Sequence, residues 1–342
     1  MFDYRNAEKI LEAKDVVVKF HLRGRTLTAI RGISMELYRG ESLAIVGESG
    51  SGKSVFTKTF MGLLDQNGWV DSGSIVYSGR SYAGQGIDLV SLKKEKDWLK
   101  IRGKEIAMVF QDPMTSLNPL KSIGKQIQET VELHQGLKGE AAKKKTLEIL
   151  EDVGISEPER RYRQYPHEFS GGMRQRVVIA IAVACNPEIL ICDEPTTALD
   201  VTIQAQILDL IRDLNQSMNT SVVFITHDLG VVSELCDTVM VMYNGRMVEK
   251  ASAEDIFEEP LHPYTQGLLN SFPSLKGENE RLHAIPGFLP DLSRKQEGCI
   301  FAPRCPKATE QCFRKKPQAS YMEDGRMVSC WLYERGGVKD GE

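Results

Sequence analysis

At 342 residues, 41% hydrophobic and 26% charged, the chain is long enough to bury a sizeable core and to divide into two domains. A formal net charge of -4 and a pI near 6.0 give no support to a general nucleic-acid binder, whose footprint is basic, and leave only local basic patches open. MFDYRNAEKILEAKD at the N-terminus lacks the apolar core of a secretory signal, and the apolar run Val177 to Cys185 falls short of the roughly 20 residues of a membrane span, so a soluble cytosolic chain is expected.

In chain order, Val16 to Phe20 and Ile33 to Leu37 alternate apolar and polar residues like two strands joined by the turn-rich HLRGRTLTAIRG, which predicts a small antiparallel β layer. Phe20, at the end of its strand, suits either a ring stacked on an adenine base or a strand-end core residue. Leu43 to Val46 reads as a buried strand. It runs into GESGSGKS, Gly47 to Ser54, and on to Val55–Leu64, where apolar residues fall at helical spacing. Gly-x-x-x-x-Gly-Lys-Ser between strand and helix is a phosphate-binding loop. Its small residues, Gly47, Ser49, Gly50, Ser51 and Gly52, let backbone N–H groups turn inward around an anion, and the helix N-terminus adds roughly half a positive charge. Lys53 then reaches the β/γ-phosphates and the Ser54 hydroxyl ligates magnesium.

A strand over Gly73 to Tyr77, a loop and a short helix around Leu92 to Leu99 follow. Ile106 to Phe110 is a further apolar strand that delivers Gln111 into QDPMTSLNP, where Pro113 and Pro119 keep a helix from running through. Gln111 there suits a ligand of magnesium or water that moves with a docked partner, or simply a solvated loop glutamine. Ile123 to Leu133 and Ala141 to Val153 show helical periodicity, the second capped by Gly154, and KGEAAKKK reads as an exposed helix start. With the segment up to Pro187 they predict an all-helical insertion in an α/β core.

FSGGMRQRVVIAIAVACNP places Ser170, Gly171 and Gly172 before a long apolar helix and so offers a second anion site. Two such sites in one chain point to a dimer in which this segment of one copy closes over the γ-phosphate held by the other. ILICDEP is a buried strand ending in Asp193 and Glu194. Asp193 suits the magnesium-side acid of phosphoryl transfer, and Glu194 can polarise the attacking water. A last core strand, Val222 to Thr226, ends in His227, which suits a donor to the γ-phosphate or a structural histidine. Cys185, Cys192 and Cys236 read as buried small hydrophobes.

The ordered set of GESGSGKS, Gln111, FSGGM, ILICDE, TALD and His227 resembles the nucleotide-binding subunit of ABC transporters over roughly residues 10 to 255. The resemblance implies a P-loop NTPase core with an antiparallel β subdomain and a helical subdomain at about 112–187. It implies Glu194 as catalytic base, His227 as switch histidine, Asp200 as dimer-contact aspartate, Ser170 and Gly172 as γ-phosphate contacts in trans, and Phe20 as the adenine-stacking ring. The signature departs from the family pattern at Phe169 and Met173, where leucine and glutamine are usual, but Ser170 and Gly172 are intact, so activity is expected.

Beyond Ala253, HPYTQGLLNSFPSL, IPGFLPDL and GCIFAPRCPKATEQCFRKKP resemble the C-terminal extension of oligopeptide, dipeptide and nickel importer subunits, here residues 256–342. Cys299, Cys305, Cys312 and Cys330 are separated by five, six and seventeen residues. Four clustered thiols in a cytosolic chain favour metal over disulfides, the Cys-x2-Cys pairs of structural zinc are absent, and Cys305-Pro306 is a feature of iron–sulfur ligation. The resemblance to the dipeptide branch implies a [4Fe-4S] cluster, ranked ahead of zinc and of free thiols, as a staple for segment 299–330. It also implies ATP and Mg²⁺ as cofactors, two membrane permease subunits, a related second ATPase subunit, an external solute-binding protein, and a place at the cytoplasmic face of the membrane. The cargo implied is di- or oligopeptide, with oligosaccharide and nickel as other cargoes of close relatives. The rival readings are a soluble cassette ATPase of DNA repair or translation, against which stand a single cassette and no sustained heptads, and a zinc-stapled regulatory ATPase without a permease.

Overall fold

The computed structural model describes residues 2, 4, 7–82, 84–197, 199–271, 285–290 and 297–334. β1 (Lys9–Leu22) and β2 (Arg25–Tyr38) form a long antiparallel hairpin, and β3 (Ser42–Val46) leads into the phosphate-binding loop. β4 (Gly68–Tyr77) and β5 (Ile87–Asp88) return to the hairpin, making a four-stranded sheet in the order β2-β1-β4-β5. The hairpin is far longer than the two short strands expected. Only Arg23 and Gly24, both at positive φ, form its turn, and the flanking Thr and apolar residues carry the pairing from Leu22 opposite Arg25 outward.

β6 (Ile106–Val109), β7 (Ile189–Asp193), β8 (Ser221–Ile225), β9 (Thr238–Tyr243) and β10 (Arg246–Ser252) build the main sheet with β3. β11 (Ser320–Tyr321) and β12 (Met327–Val328) complete it in the order β11-β12-β10-β9-β3-β8-β7-β6. β9-β3-β8-β7-β6 are parallel, and β3, β6, β7, β8 and β9 are buried throughout, as a sheet covered on both faces requires. Alternation along β3 sorts its side chains: Leu43 and Ile45 join the core shared with the small sheet, while Ala44 and Val46 face the helices.

The helical insertion comprises Ile123–Gln135, Gly139–Asp152 and Pro158–Tyr162, packed with the long helix Gly171–Val183, and Gly154 at φ 76 ends the second helix as expected. Two expected boundaries move. The helix after the phosphate loop is Lys53–Thr59 rather than Val55–Leu64, because left-handed Gly52 starts it early and Gly62, φ 59, lies just past its end under the Trp98 ring. Pro113 opens a single helical turn, Pro113–Ser116, because proline suits the first position of a helix.

The C-terminal segment, expected as an appendage, enters the main core. Val328 pairs with Glu249 of β10, and Ile300 and Phe301 are buried with the aliphatic residues behind the sheet. Phe301 sits 5.2 Å from Tyr243 and 5.4 Å from Tyr264 between ring centroids, the edge-on spacing favoured by aromatic quadrupoles. The parts of HPYTQGLLNSFPSL and IPGFLPDL at 272–275 and 291–292 lie outside the described residues. Truncating Phe301 to Ala is expected to cost about 3–5 kcal/mol, the usual range for an aromatic core truncation. Denaturant unfolding measures it, and a loss below about 1 kcal/mol would mean that the tail is not packed on the cassette core.

Candidate functional site

Because β3, β6, β7 and β8 run parallel, their carboxyl ends open on one edge of the sheet, the edge where α/β sheets bind ligands. β3 delivers Gly47, β6 delivers Gln111, β7 delivers Asp193 and Glu194, and β8 delivers His227. A cavity of about 840 Å³ opens there, lined by Phe20, Ser49, Gly50, Gly52, Lys53, Ser54, Gln111, Glu194 and His227 among others.

The loop's shape follows from its glycines and from what lies beneath it. Gly47 has φ 148, and a Cβ there would sit 2.1 Å from the Met242 carbonyl oxygen of β9, so no other residue fits. The Ser51 N–H donates to Glu48 O at 3.1 Å, and the Ser51 carbonyl accepts from Gly245 N at 2.8 Å. Asn244 and Gly245, at φ 45 and 80, form the two-residue turn between β9 and β10 and thereby brace the loop. The Ser51 side chain is fully buried rather than lining the cavity. Lys53 donates to Gly47 O at 2.8 Å and to Glu48 O at 3.2 Å. Burial pushes its ammonium pKa down, against the charges of Glu194 and Asp193.

At the end of the loop, Ser54 Oγ donates to Asp193 Oδ1 at 2.9 Å, so hydroxyl and carboxylate converge as a hard-cation site needs. Burial pushes the Asp193 carboxyl pKa up, the Ser54 hydrogen bond pulls it back and the Glu194 charge adds to the rise. Glu194 adopts φ 47, a left-handed conformation that non-glycine residues reach at a cost. Its carboxylate accepts from Gln111 Nε2 at 2.9 Å and from Thr197 Oγ1 at 3.0 Å, and His227 Nδ1 lies 3.3 Å away. Thr197 escaped the sequence reading although it stands three residues past Glu194.

Phe20 lines the cavity mouth with its ring over Gly68, whose added Cβ would meet the ring at 2.4 Å. Ser170, Gly171, Gly172 and Asp200 do not line the cavity. Ser170 and Asp200 instead cap the helices Gly171–Val183 and Val201–Met218, accepting from Met173 N and Ile203 N, and Gly172 leaves room for Ile203. Ser170, Gly171 and Asp200 are exposed, whereas Gly172 is buried.

In the tail, Cys299 N donates to Cys312 O, and the charges of Cys299, Cys305 and Cys312 are all felt at Cys330. Burial raises the thiol pKa values of Cys299 and Cys305, and that of Cys330 to about 11. Among the described residues, no three His, Cys, Asp or Glu side chains are arranged to hold a metal ion, so the expected metal-binding extension is not seen as a formed site. No described helix is long and apolar enough to cross a membrane.

The fold and this edge of the sheet define an ATP-binding cassette. The ABC transporter family model matches residues 30–197, and a model for the oligopeptide/dipeptide transporter C-terminal region matches 248–312. The oligopeptide transport ATP-binding protein AmiE of Streptococcus pneumoniae is 49% identical over 330 residues, covering 96% of this chain and 91% of its own. AppD, of the same description, and the dipeptide transport ATP-binding protein DppD, both of Bacillus subtilis, are 48% and 47% identical, with 96% of this chain and 98% and 96% of theirs covered. Among solved structures, the dimeric cassette MJ0796 bound to ADP and Pi superposes with a TM-score of 0.62 at 27% identity, over 71% of this chain and 99% of that one. The cbiO1 protein of Clostridium perfringens gives 0.61 at 28%, over 74% and 92%. The chain belongs to the ABC transporter ATPases, in the branch of oligopeptide and dipeptide transport ATP-binding proteins.

Asp193→Asn tests the electrostatics of the site. A carboxyl whose folded pKa is raised binds its proton more tightly than the unfolded chain does. Its cost is therefore absent at low pH, grows as pH rises through the unfolded value of about 3.9, and is fully present above the folded value. Without nucleotide or magnesium, the Asn variant is expected to melt above the wild type at pH 7 and to converge with it in acid. A variant that melts lower at pH 7 would contradict the assigned burial cost.

Proposed function

We propose that the chain powers the import of di- or oligopeptides by binding and hydrolysing ATP at the cytoplasmic face of a membrane. The observation that carries the reading is the Glu194 carboxylate, held by Gln111 and Thr197 beside His227 and facing the phosphate loop. Peptide cargo rests on relatives named for oligopeptide and dipeptide transport.

In this reading Gly47, Ser49, Gly50, Ser51, Gly52 and Lys53 cradle the phosphates through the loop backbone and the Lys53 ammonium. Ser54, Asp193 and Gln111 would hold magnesium, which when bound would supply positive charge against that developing on the phosphates. Glu194 is the base for the attacking water, His227 senses the γ-phosphate and Phe20 stacks on adenine. Ser170, Gly171, Gly172 and Asp200 serve a second ATPase subunit, a related chain more readily than an identical one. The loop after Gln111 passes the closing and reopening of that pair to two permease subunits, and an external binding protein supplies the cargo. The unit from 10 to 255, with a helical subdomain at about 112–187, is the ATPase domain, and 256–342 is an extension that docks on it. Glu194→Gln is expected to lower turnover about 10²- to 10⁴-fold while ATP still binds. Near-normal turnover would reassign the base.

We further propose that Cys299, Cys305, Cys312 and Cys330 hold a [4Fe-4S] cluster. The support is chemical: four thiols of one segment interact electrostatically, Cys299 and Cys312 meet through their backbones, and Cys305 precedes a proline, a set that suits thiolate ligation of a cluster. Bound there, the cluster would cross-link four stretches of a tail poor in secondary structure. Anaerobically purified chain is expected to contain about four iron and four acid-labile sulfide, lost in Cys305→Ser. Stoichiometric zinc, or no metal, would refute the assignment.

A further inference from the structure

The phosphate loop is gripped from outside by the tail. Glu48, second residue of the loop, accepts two parallel hydrogen bonds from Arg304: Nη1 to Oε2 at 2.7 Å and Nη2 to Oε1 at 2.9 Å. The Glu48 backbone N–H donates to the Tyr264 hydroxyl oxygen at 2.9 Å, so both main chain and side chain of this residue are held by elements beyond position 255. The Glu48 carbonyl is one of the two that receive Lys53 Nζ. The grip therefore acts one peptide away from the lysine.

Arg304 is itself fixed. Nε donates to Pro286 O at 2.9 Å, Nη2 to Ile285 O at 3.1 Å and Nη1 to Tyr243 Oη at 3.3 Å, so with Glu48 all five guanidinium N–H groups have a partner. The guanidinium also lies 5.7 Å from the Tyr243 ring centroid. The residue is 8% exposed. A charged fork this enclosed and this fully partnered transmits position, and lysine cannot replace it because a single ammonium lacks the planar pair of donors. Arg304 closes the helical turn Ala302–Arg304, whose ends are tied to cysteines: Ala302 N donates to Cys299 O at 3.1 Å, and Cys305 N to Ala302 O at 3.2 Å.

We propose that Arg304 is a positioning residue for ATP binding: through Glu48 it holds the phosphate loop in its anion-ready shape, so that the order of the Cys299–Cys305 turn governs affinity for ATP. The inference rests on the nucleotide site proposed above. A tail that is merely stapled to the cassette would lose melting temperature when the pair is cut and leave the affinity of the folded protein unchanged.

The test is calorimetric titration of the full-length chain with Mg-ATP, alongside steady-state hydrolysis, for wild type, Arg304→Lys, Glu48→Gln and the double variant. Glu48→Gln leaves Arg304 bonded to Pro286, Ile285 and Tyr243, which keeps the experiment interpretable if Arg304→Lys folds poorly. Each single variant is expected to bind ATP about 10-fold more weakly, the scale of a charged hydrogen bond, with KM raised, kcat within about 2-fold, and the double variant no worse than either single one. Folded Glu48→Gln with unchanged affinity, or losses that add in the double variant, would overturn the proposal while leaving the ATP site intact. Wild type that binds no ATP would overturn both.

Discussion

The site depends on one constraint: a loop rich in glycine must keep its N–H groups pointing inward in the absence of an anion. The glycines permit that shape but do not enforce it. Enforcement comes from below and from the side. The Met242 carbonyl fills the space where a Cβ would stand on Gly47, the Asn244–Gly245 turn ties down Ser51, and the tail holds Glu48 by side chain and main chain. The loop is therefore preorganised by three segments remote from it in the chain, which lowers the entropy lost when phosphate arrives.

Much of this was legible in residue order alone. Apolar runs of four or five residues mark strands buried on both faces, and each run that ends in a polar residue, at Gln111, Asp193 or His227, places that residue at the carboxyl edge of a parallel sheet. Ser170 before its glycines marks a helix start, and the structure puts a cap there. Less legible were features with no local signature. The β1–β2 hairpin is longer than its clean alternation because bulges interrupt the two-residue period at Ala13, Val16 and Val18. β11 and β12 are two residues each, too short for a pattern. The partner of Glu48 stands 256 positions away, and nothing around Arg304 but its neighbouring cysteines sets it apart.

Glu194 shows how the two levels meet. Its identity could be read from the strand before it, but its strained left-handed backbone could not, since it accompanies a long-range contact, the Glu194 N–H donating to Ile225 O at 2.8 Å on the next strand. The neighbouring Asp193 continues the strand pairing and stays buried, so two adjacent acids point into different surroundings. One is enclosed with Ser54 and the other opens on the cavity, which is how a pair of like residues can divide between metal binding and proton transfer.

The long span between Glu48 and Arg304 also has a meaning in time. During synthesis the residues that grip the phosphate loop, Tyr264 and Arg304, and the strand Met327–Val328 emerge more than two hundred residues after it. Closing a contact over more than two hundred residues cannot precede their appearance, and it rewards the chain only once the intervening core has formed. A nascent chain that has completed its Gly-Lys-Ser motif thus carries every residue of the loop but not its finished geometry. On the proposed grip, full nucleotide affinity would arrive only with Tyr264 and Arg304 rather than with the segment that bears the motif.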